Sequence, residues 1–590
     1  MTSRVFRSSA VPTLIVQTLS LVITVLLICN VIARYTFGFP LLIEGVLQIF
    51  FSELNHRKQH RRYQRFEEQS NDVEELGEKA LARTECVGAV IGYREDPNLF
   101  RKCLESYRDD ASRTVRVLVI GIDGNDDEDM KMARTAEHVF GTEETPTIPL
   151  HEPFGALAAR MISEWKIRRS CSEKGSELSE DEVHDHVLDV LIRQATAMLQ
   201  DHGLLYHVHK NGPPKAICIC QPHNSKKEIM FSAFIFNLAL AGANNIPYIW
   251  SSDSDSYLDI NAAPIHRVLA TMSTDPAIAG SCGALQIHNA RQSTITRLIS
   301  ATYWTDLALT SGQNSAFDVT DCQPGPCAAF TRSALAAILV PWHAQTFLGA
   351  RPLVNEDRHL STLLLARGHK VTFHPHGRVL TDAPATLAAW IVQQVRWSRA
   401  IVLESLAHPR VLAQRHPMLA LYALRRVAGP FVQAWIVVRY LASGAGTRVT
   451  SPVDIGARVL LCSVYTAWWR GAGWRVWPWL CASQVFLQFP QPPIVFWACA
   501  TFLDGSWGGA VGRREGGEKE EEGVSVKRLF MAFRKTWAAL VCVAFWVGLV
   551  GAAVCKFLAS VALVGDESIC AAIGGMVSGA GTLYMLAQGH

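Results

Sequence analysis

Apolar positions along this chain fall into two kinds of run. At both ends the runs are long and nearly unbroken; in the middle they are short and separated by polar segments of helical period. Residues 11–33 form an almost uncharged stretch long enough for a helix to cross roughly 30 Å of hydrocarbon. It exceeds a usual signal-peptide core and no small-residue cleavage site succeeds it, so a retained anchor is expected. Residues 41–51 make a shorter apolar segment carrying Glu44, expected to return to the cytosol or lie at the interface. The basic run at 56–65, HRKQHRRYQR, places the next stretch of chain on the cytosolic side by the positive-inside tendency, and topology is explanation enough for it.

From about Glu85 the pattern becomes that of an α/β sheet. CVGAVIGYREDPNLFRKCLESYR predicts strand, loop and helix, with Asp96 as cap, Pro97 in the first turn, and Leu99, Phe100, Cys103, Leu104 and Tyr107 on one face. VRVLVIGIDGNDDED predicts a second buried strand ending in acids at Asp123. Residues 141–212 are polar and mostly helical in period; their histidines lack metal-site spacing and belong on the surface. AICICQ is strand-like, and Lys226 and Lys227 precede a helix. PYIWSSDSDSYLDI is an apolar run ending in alternating carboxylates. On extended backbone Asp253 and Asp255 point to one side, so both can reach a single hard cation.

Further on, AGSCGALQIHN predicts a strand, residues 293–311 a helix, and CQPGPCAAFTRSAL a Pro-Gly-Pro turn that lets a polymer or backbone approach closely. VNEDRHL puts Glu356 and Asp357 at a helix start, KVTFHPHGRVL reads as a strand, and LAAWIVQQVRWSRAIVL as an amphipathic surface helix. Spans are expected at 423–441, 455–469, 537–564 and 571–586, with a hairpin over 474–503 turning at QFPQPP, for six to eight crossings in all. The charged, Gly-rich loop at 505–535 has the composition of disorder.

Apolar residues make up 49% and charged ones 18%, the balance of a membrane enzyme with a water-facing domain. A net charge of +3 offers nothing for nucleic acid to bind. The fifteen cysteines include no CxxC pair, which argues against a zinc site or a disulfide framework; Cys218 and Cys220 belong in a core.

Taken in order, YRED near Tyr93, DGN at Asp123, DSD at Asp253 and Asp255, NEDR at Glu356 and Asp357, and QQVRW ending at Trp397 resemble the processive family 2 glycosyltransferases, which include hyaluronan, chitin and cellulose synthases. YREDPNLFRKCLESYR, GPCAAF and EDRHL look nearest to hyaluronan synthases and to the polysaccharide synthases of fungal cell walls and capsules. NED replaces the family's Gly-Asp-Asp, and QPGPCAAF a Ser-Gly-Pro-Leu-Gly pattern; both bear on the acceptor side and hence on which sugar is joined.

The resemblance implies a GT-A, Rossmann-like α/β domain in the cytosol over 85–400, ending in an interface helix. It would sit between an N-terminal membrane segment with its basic flank, 1–65, and C-terminal transmembrane helices, 401–590. It implies Asp357 as general base beside Glu356 and a Mg2+ or Mn2+ ion on Asp255 and Asp253. Donor contacts would come from Tyr93, Glu95, Asp123, Lys226, Asp253 and Arg396, and acceptor contacts from Cys322, Gly325, Pro326, Gln393 and Trp397. The expected partners are a UDP-sugar, the growing polysaccharide and the lipid bilayer, in a multi-pass plasma-membrane enzyme. Each residue also has a plain structural reading: strand-end acids cap turns, a Glu-Asp pair favours a helix start, and Trp and Arg suit a surface helix. The rivals to a polymerase are a transferase that adds one sugar to a lipid carrier, and a transporter or inactive scaffold that only binds nucleotide.

Overall fold

The computed structural model describes residues 41–71, 84–110, 112–142, 145–171, 179–206, 213–411, 417–445, 452–504, 537–562 and 566–588. The expected anchor at 11–33 and the whole of the charged loop at 505–535 lie outside them. The chain divides into two compact units: Phe51–His288 with Thr310–Asp382, and Met1–Phe50 with Asn289–Leu309 and Ala383–His590.

The first unit is built on a nine-stranded sheet in the order β3-β4-β2-β1-β5-β8-β7-β9-β6. Its strands are β1 (Cys86–Gly92), β2 (Val115–Asp123), β3 (Thr147–Pro149), β4 (Lys215–Gln221), β5 (Tyr248–Asp253), β6 (Tyr257–Leu258), β7 (Ile278–Ile287), β8 (Ala328–Thr331) and β9 (Lys370–Thr381). β1 pairs in parallel with β2 on one side and β5 on the other, whereas β8 runs antiparallel to both β5 and β7. The chain therefore leaves β1 for β2 and β4, then crosses back to β5. That makes the crevice outside the carboxyl ends of β1 and β5 a topological switch point, the usual ligand position in such sheets. All nine residues of β2 are buried, as a parallel strand covered on both faces requires. The short strands β3 and β6 carry too few apolar residues to be visible in the sequence.

Capping agrees closely with the sequence. Asp96 accepts from the backbone N–H groups of Asn98 and Leu99, with Pro97 opening the helix Pro97–Arg108. That helix buries Phe100, Cys103, Leu104, Ser106 and Tyr107, and the Tyr107 hydroxyl accepts from the Trp250 indole at 2.9 Å within the core. The helix Lys226–Ala243 is buried along almost its whole length, so its apolar residues show no single face.

The basic run has a further role beyond topology. A single helix, Leu41–Asn71, passes straight through it. Lys58 pairs with Asp318 at 2.7 Å, and Arg62 reaches both Asp318 at 3.1 Å and Asp275 at 3.4 Å, while Asn55 donates to the Phe373 carbonyl. These charges dock the helix on the first unit instead of facing water.

The second unit is helical. Its members include Leu387–Ala407, Pro417–Ser443, Pro452–Val464, Trp477–Gln488, Gln491–Ala500, Ala538–Ala562 and Glu567–Gln588. The expected hairpin over 474–503 falls on two consecutive helices, Trp477–Gln488 and Gln491–Ala500, that break at Phe489 and Pro490 within QFPQPP. Among the described residues, two helices are long and apolar enough to cross a membrane, over Ala538–Ser560 and Glu567–Met585. Pro417–Ser443 carries Arg425, Arg426 and Arg439, which takes it below that standard. The last two helices approach through glycine: a Cβ on Gly575 would meet the Gly548 carbonyl at 3.1 Å, and one on Gly551 the Ser578 hydroxyl at 2.2 Å.

Candidate active site

The acids foreseen from the sequence gather at the carboxyl ends of the parallel strands. Asp253 is the last residue of β5 and Asp255 lies in the turn after it, so the pair is not on extended backbone throughout. The turn fits because β1 ends in glycine: a Cβ on Gly92 would meet the Ser254 hydroxyl oxygen at 2.5 Å. The Ser254 N–H donates to the Ile91 carbonyl at 2.9 Å, and its hydroxyl donates to Glu95 at 3.0 Å. Glu95 is thereby placed on the Asp255 side of the cleft.

Lys226, at the start of its helix, ties this rim to the NED motif. Its Nζ lies 2.8 Å from Asp253 Oδ1 and 3.8 Å from Glu356 Oε1. Burial alone would lower the ammonium's pKa, but the carboxylates of Asp253, Asp357 and Glu356 hold it above its ordinary value. Asp357, in the first turn of the helix Glu356–Ala366, accepts the Gly325 N–H on Oδ2 at 2.9 Å. Gly325 must be glycine, since a Cβ there would meet Asp253 Oδ2 at 2.8 Å and Lys226 Nζ at 2.9 Å. The Pro326 carbonyl accepts from Ser252 at 3.0 Å, closing the same turn against β5.

Burial, then the surrounding charges, set the protonation of the two key acids. Asp255 is pushed up to about 7 by burial and by the neighbouring Asp253 and Glu95. Asp357 is pushed up to about 7 by burial, with Glu356 and Asp253 adding to the rise and Lys226 opposing it. Carboxyls held near neutrality are suited to proton transfer, and a bound cation would favour their charged forms.

At the other side of the cleft, Asp123 closes β2. Its Oδ2 lies 2.9 Å from His223 Nδ1, which also reaches the Asp123 carbonyl oxygen at 3.1 Å, while Oδ1 accepts from the Asn224 N–H at 3.2 Å and the Gln221 amide at 3.4 Å. The ring of Tyr93 stacks on His223 with centroids 4.2 Å apart and an interplanar angle of 14°. An aromatic face and a carboxylate acceptor side by side are what a pyrimidine needs.

No protein-family profile matches the chain. It is 26% identical to Hyaluronan synthase 2 of Mus musculus over 402 residues, 68% of this chain and 62% of the relative. It is 29% identical to Hyaluronan synthase 3 of Homo sapiens over 369 residues, 62% of this chain and 57% of the relative. It is 26% identical to Hyaluronan synthase 1 of Xenopus laevis over 386 residues, covering 65% and 60%.

The chain is hyaluronan synthase-like. It spans about three fifths of the length of the curated relatives it matches.

In this hyaluronan synthase-like chain, one cleft of the first unit thus brings together Glu95, Lys226, Asp253, Asp255, Gly325, Glu356 and Asp357, with Tyr93 and Asp123 on the neighbouring strand ends. Cys322 is half-buried beside Asp321, which pairs with Arg358, and burial pushes its thiol well up. Gln393, Arg396 and Trp397 lie on the helix Leu387–Ala407 of the second unit.

His223 and Glu228 escape sequence reasoning. His223 comes after β4 without a motif of its own. Lys227 and Glu228, next to Lys226, are buried: Lys227 donates to the Pro352 carbonyl at 3.3 Å, and Glu228 pairs with Arg351 at 2.6 Å and His343 at 3.0 Å. They anchor the loop that leads into NED. The signal available was the unbroken KKE at a helix start, where two charges cannot both face water and core.

Proposed function

We propose that this chain is a membrane-integrated processive glycosyltransferase that polymerises UDP-sugars into an extracellular polysaccharide and exports it from a multi-pass position in the plasma membrane. The observation that carries the reading is the meeting of Lys226, Asp253, Asp255, Glu356 and Asp357 at the switch point of an α/β sheet, in a chain similar to hyaluronan synthases along most of its length.

Tyr93 and Asp123 take the base, the first by stacking and the second by accepting its N–H edge. Lys226 lies against the diphosphate and offsets the negative charge that grows there as the bond to the sugar's anomeric carbon breaks. Asp357, oriented by the Gly325 N–H, takes the proton of the acceptor hydroxyl as that oxygen bonds the anomeric carbon from the opposite face. The configuration inverts and UDP leaves.

The acids also fit a divalent cation. Glu356 Oε2 is buried with no hydrogen-bond partner, and Asp255 is crowded by like charges. Asp255 would be the main ligand of a Mg2+ or Mn2+ ion, with Asp253 beside it already paired with Lys226, and the ion would neutralise the leaving diphosphate. Cys322, Gly325 and Pro326 line the acceptor's path.

The test supplies the purified protein in lipid with UDP-N-acetylglucosamine, UDP-glucuronate and UDP-glucose, singly and in pairs, and sizes the product on a gel. A long product cut by hyaluronidase, chitinase or glucanase supports the reading and names the polymer. A single sugar on a lipid refutes processivity, and the absence of UDP release refutes catalysis.

A further inference from the structure

The geometry of β1, β2 and β4 at their carboxyl ends contains a competition. Tyr93 offers the aromatic face, and Asp123 the acceptor, that a nucleobase would use. Both are already engaged by one side chain of this chain, His223. Its ring lies almost parallel to Tyr93 at 4.2 Å, whereas a third ring between them would need about 7 Å, twice an ordinary stacking distance. Its Nδ1 lies 2.9 Å from Asp123 Oδ2, the atom that the N–H edge of uracil would use, and 3.1 Å from the Asp123 carbonyl oxygen. The other carboxylate oxygen is committed to the Asn224 N–H and the Gln221 amide, so base and imidazole contend for the same atom.

We propose that the His223 imidazole occupies the nucleobase site until a nucleotide arrives, and that the base enters by displacing it. This rests on the assignment of Tyr93 and Asp123 to the donor made above. The side chain of His223 is 52% exposed, so it has open space to swing into. The charged and titratable groups that act on it are Asp123 from β2, Asp129 just before the helix Met130–Phe140, and Tyr93 after β1, which in turn carries Arg94 beside it. Arg94 is itself paired with Asp126 and with Asp129. The hydrogen bond to Asp123 comes first among the influences that hold the imidazole's pKa above its ordinary value, with burial opposing. The closed form is therefore favoured at low pH, and it loosens as pH rises through that raised value.

Uridine is the probe, since it stays uncharged over the range used and carries no phosphate. Its affinity for the full-length protein is measured between about pH 5.5 and pH 8. Wild type is expected to bind it more tightly as pH rises. His223→Ala is expected to bind about 10-fold more tightly than wild type at the acid end, because the competent pocket is no longer a minor fraction, and to lose most of the pH dependence. Unchanged or weaker binding by His223→Ala at the acid end overturns the proposal. Tyr93→Ala and Asp123→Asn separate the two ideas. If both leave uridine binding intact, the base lies elsewhere and the underlying assignment fails as well. If they weaken it while His223→Ala does not strengthen it, only the displacement is refuted.

Discussion

Lys226 shows how a residue ambiguous in sequence becomes defined by its neighbours. A lysine pair before a helix is ordinarily solvated, yet here the Lys226 side chain is only 18% exposed and faces three carboxylates. Lys226→Met should cost roughly 3–5 kcal/mol, the usual result of stripping one partner from a buried charge cluster, and this is measurable by denaturant unfolding. Asp357→Asn should lower sugar transfer by about 10²–10⁴-fold, as loss of a general base does, with UDP affinity retained. UDP release and UDP binding, assayed on the same preparation, check both halves. Gly325→Ala forces a methyl against Asp253 and Lys226, and a displacement of about 1 Å there should cost about 10²-fold in turnover. Normal turnover by that variant would mean that the turn is not part of the site.

At the scale of elements, the helix Lys226–Ala243 and the loop before Glu356 act as a pair. Glu228 is 1% exposed, and its carboxyl has to overcome burial. The hydrogen bond with His343, together with the charge and hydrogen bond of Arg351, holds it below the ordinary value. Burial holds His343 itself below its ordinary pKa, so near neutral pH Arg351 supplies the charge and His343 a neutral hydrogen bond. A carboxyl depressed in the folded state stabilises above its unfolded pKa, and that contribution disappears as pH falls through the folded value. Wild type should therefore lose stability on acidification below about pH 4.5, and Glu228→Gln should lose less, as read from melting temperature against pH. Strands β1, β2, β4 and β5 were legible because each is an apolar run bounded by polar turns. By contrast β3, β6 and β8 were not, being two to four residues long and held by neighbours rather than by their own pattern. The break at Phe489 and Pro490 was legible, since proline cannot donate to a helix ladder and marks where one helix gives way to the next.

At the scale of the molecule, the proposed chemistry falls to the sheet of the first unit, and two described helices of the second are long and apolar enough to cross a membrane. Gly548, Gly551, Gly574 and Gly575 let the last two helices touch backbone to backbone. Gly575→Leu should separate them, lowering the thermal stability of the lipid-reconstituted protein while UDP binding in the first unit survives; equal loss of both would contradict that independence. From the amino-acid order alone came the α/β class, the apolar ends, and the acids that would matter, because strand-terminal carboxylates and helix caps are local statements written in adjacent residues. Tertiary structure alone decided that Lys226 links Asp253 to Glu356, that Gly325 orients Asp357, that Lys58 and Arg62 clasp Asp275 and Asp318, and that His223 lies on Tyr93. These contacts join residues far apart along the chain, and no local periodicity encodes which distant partner a buried charge will meet.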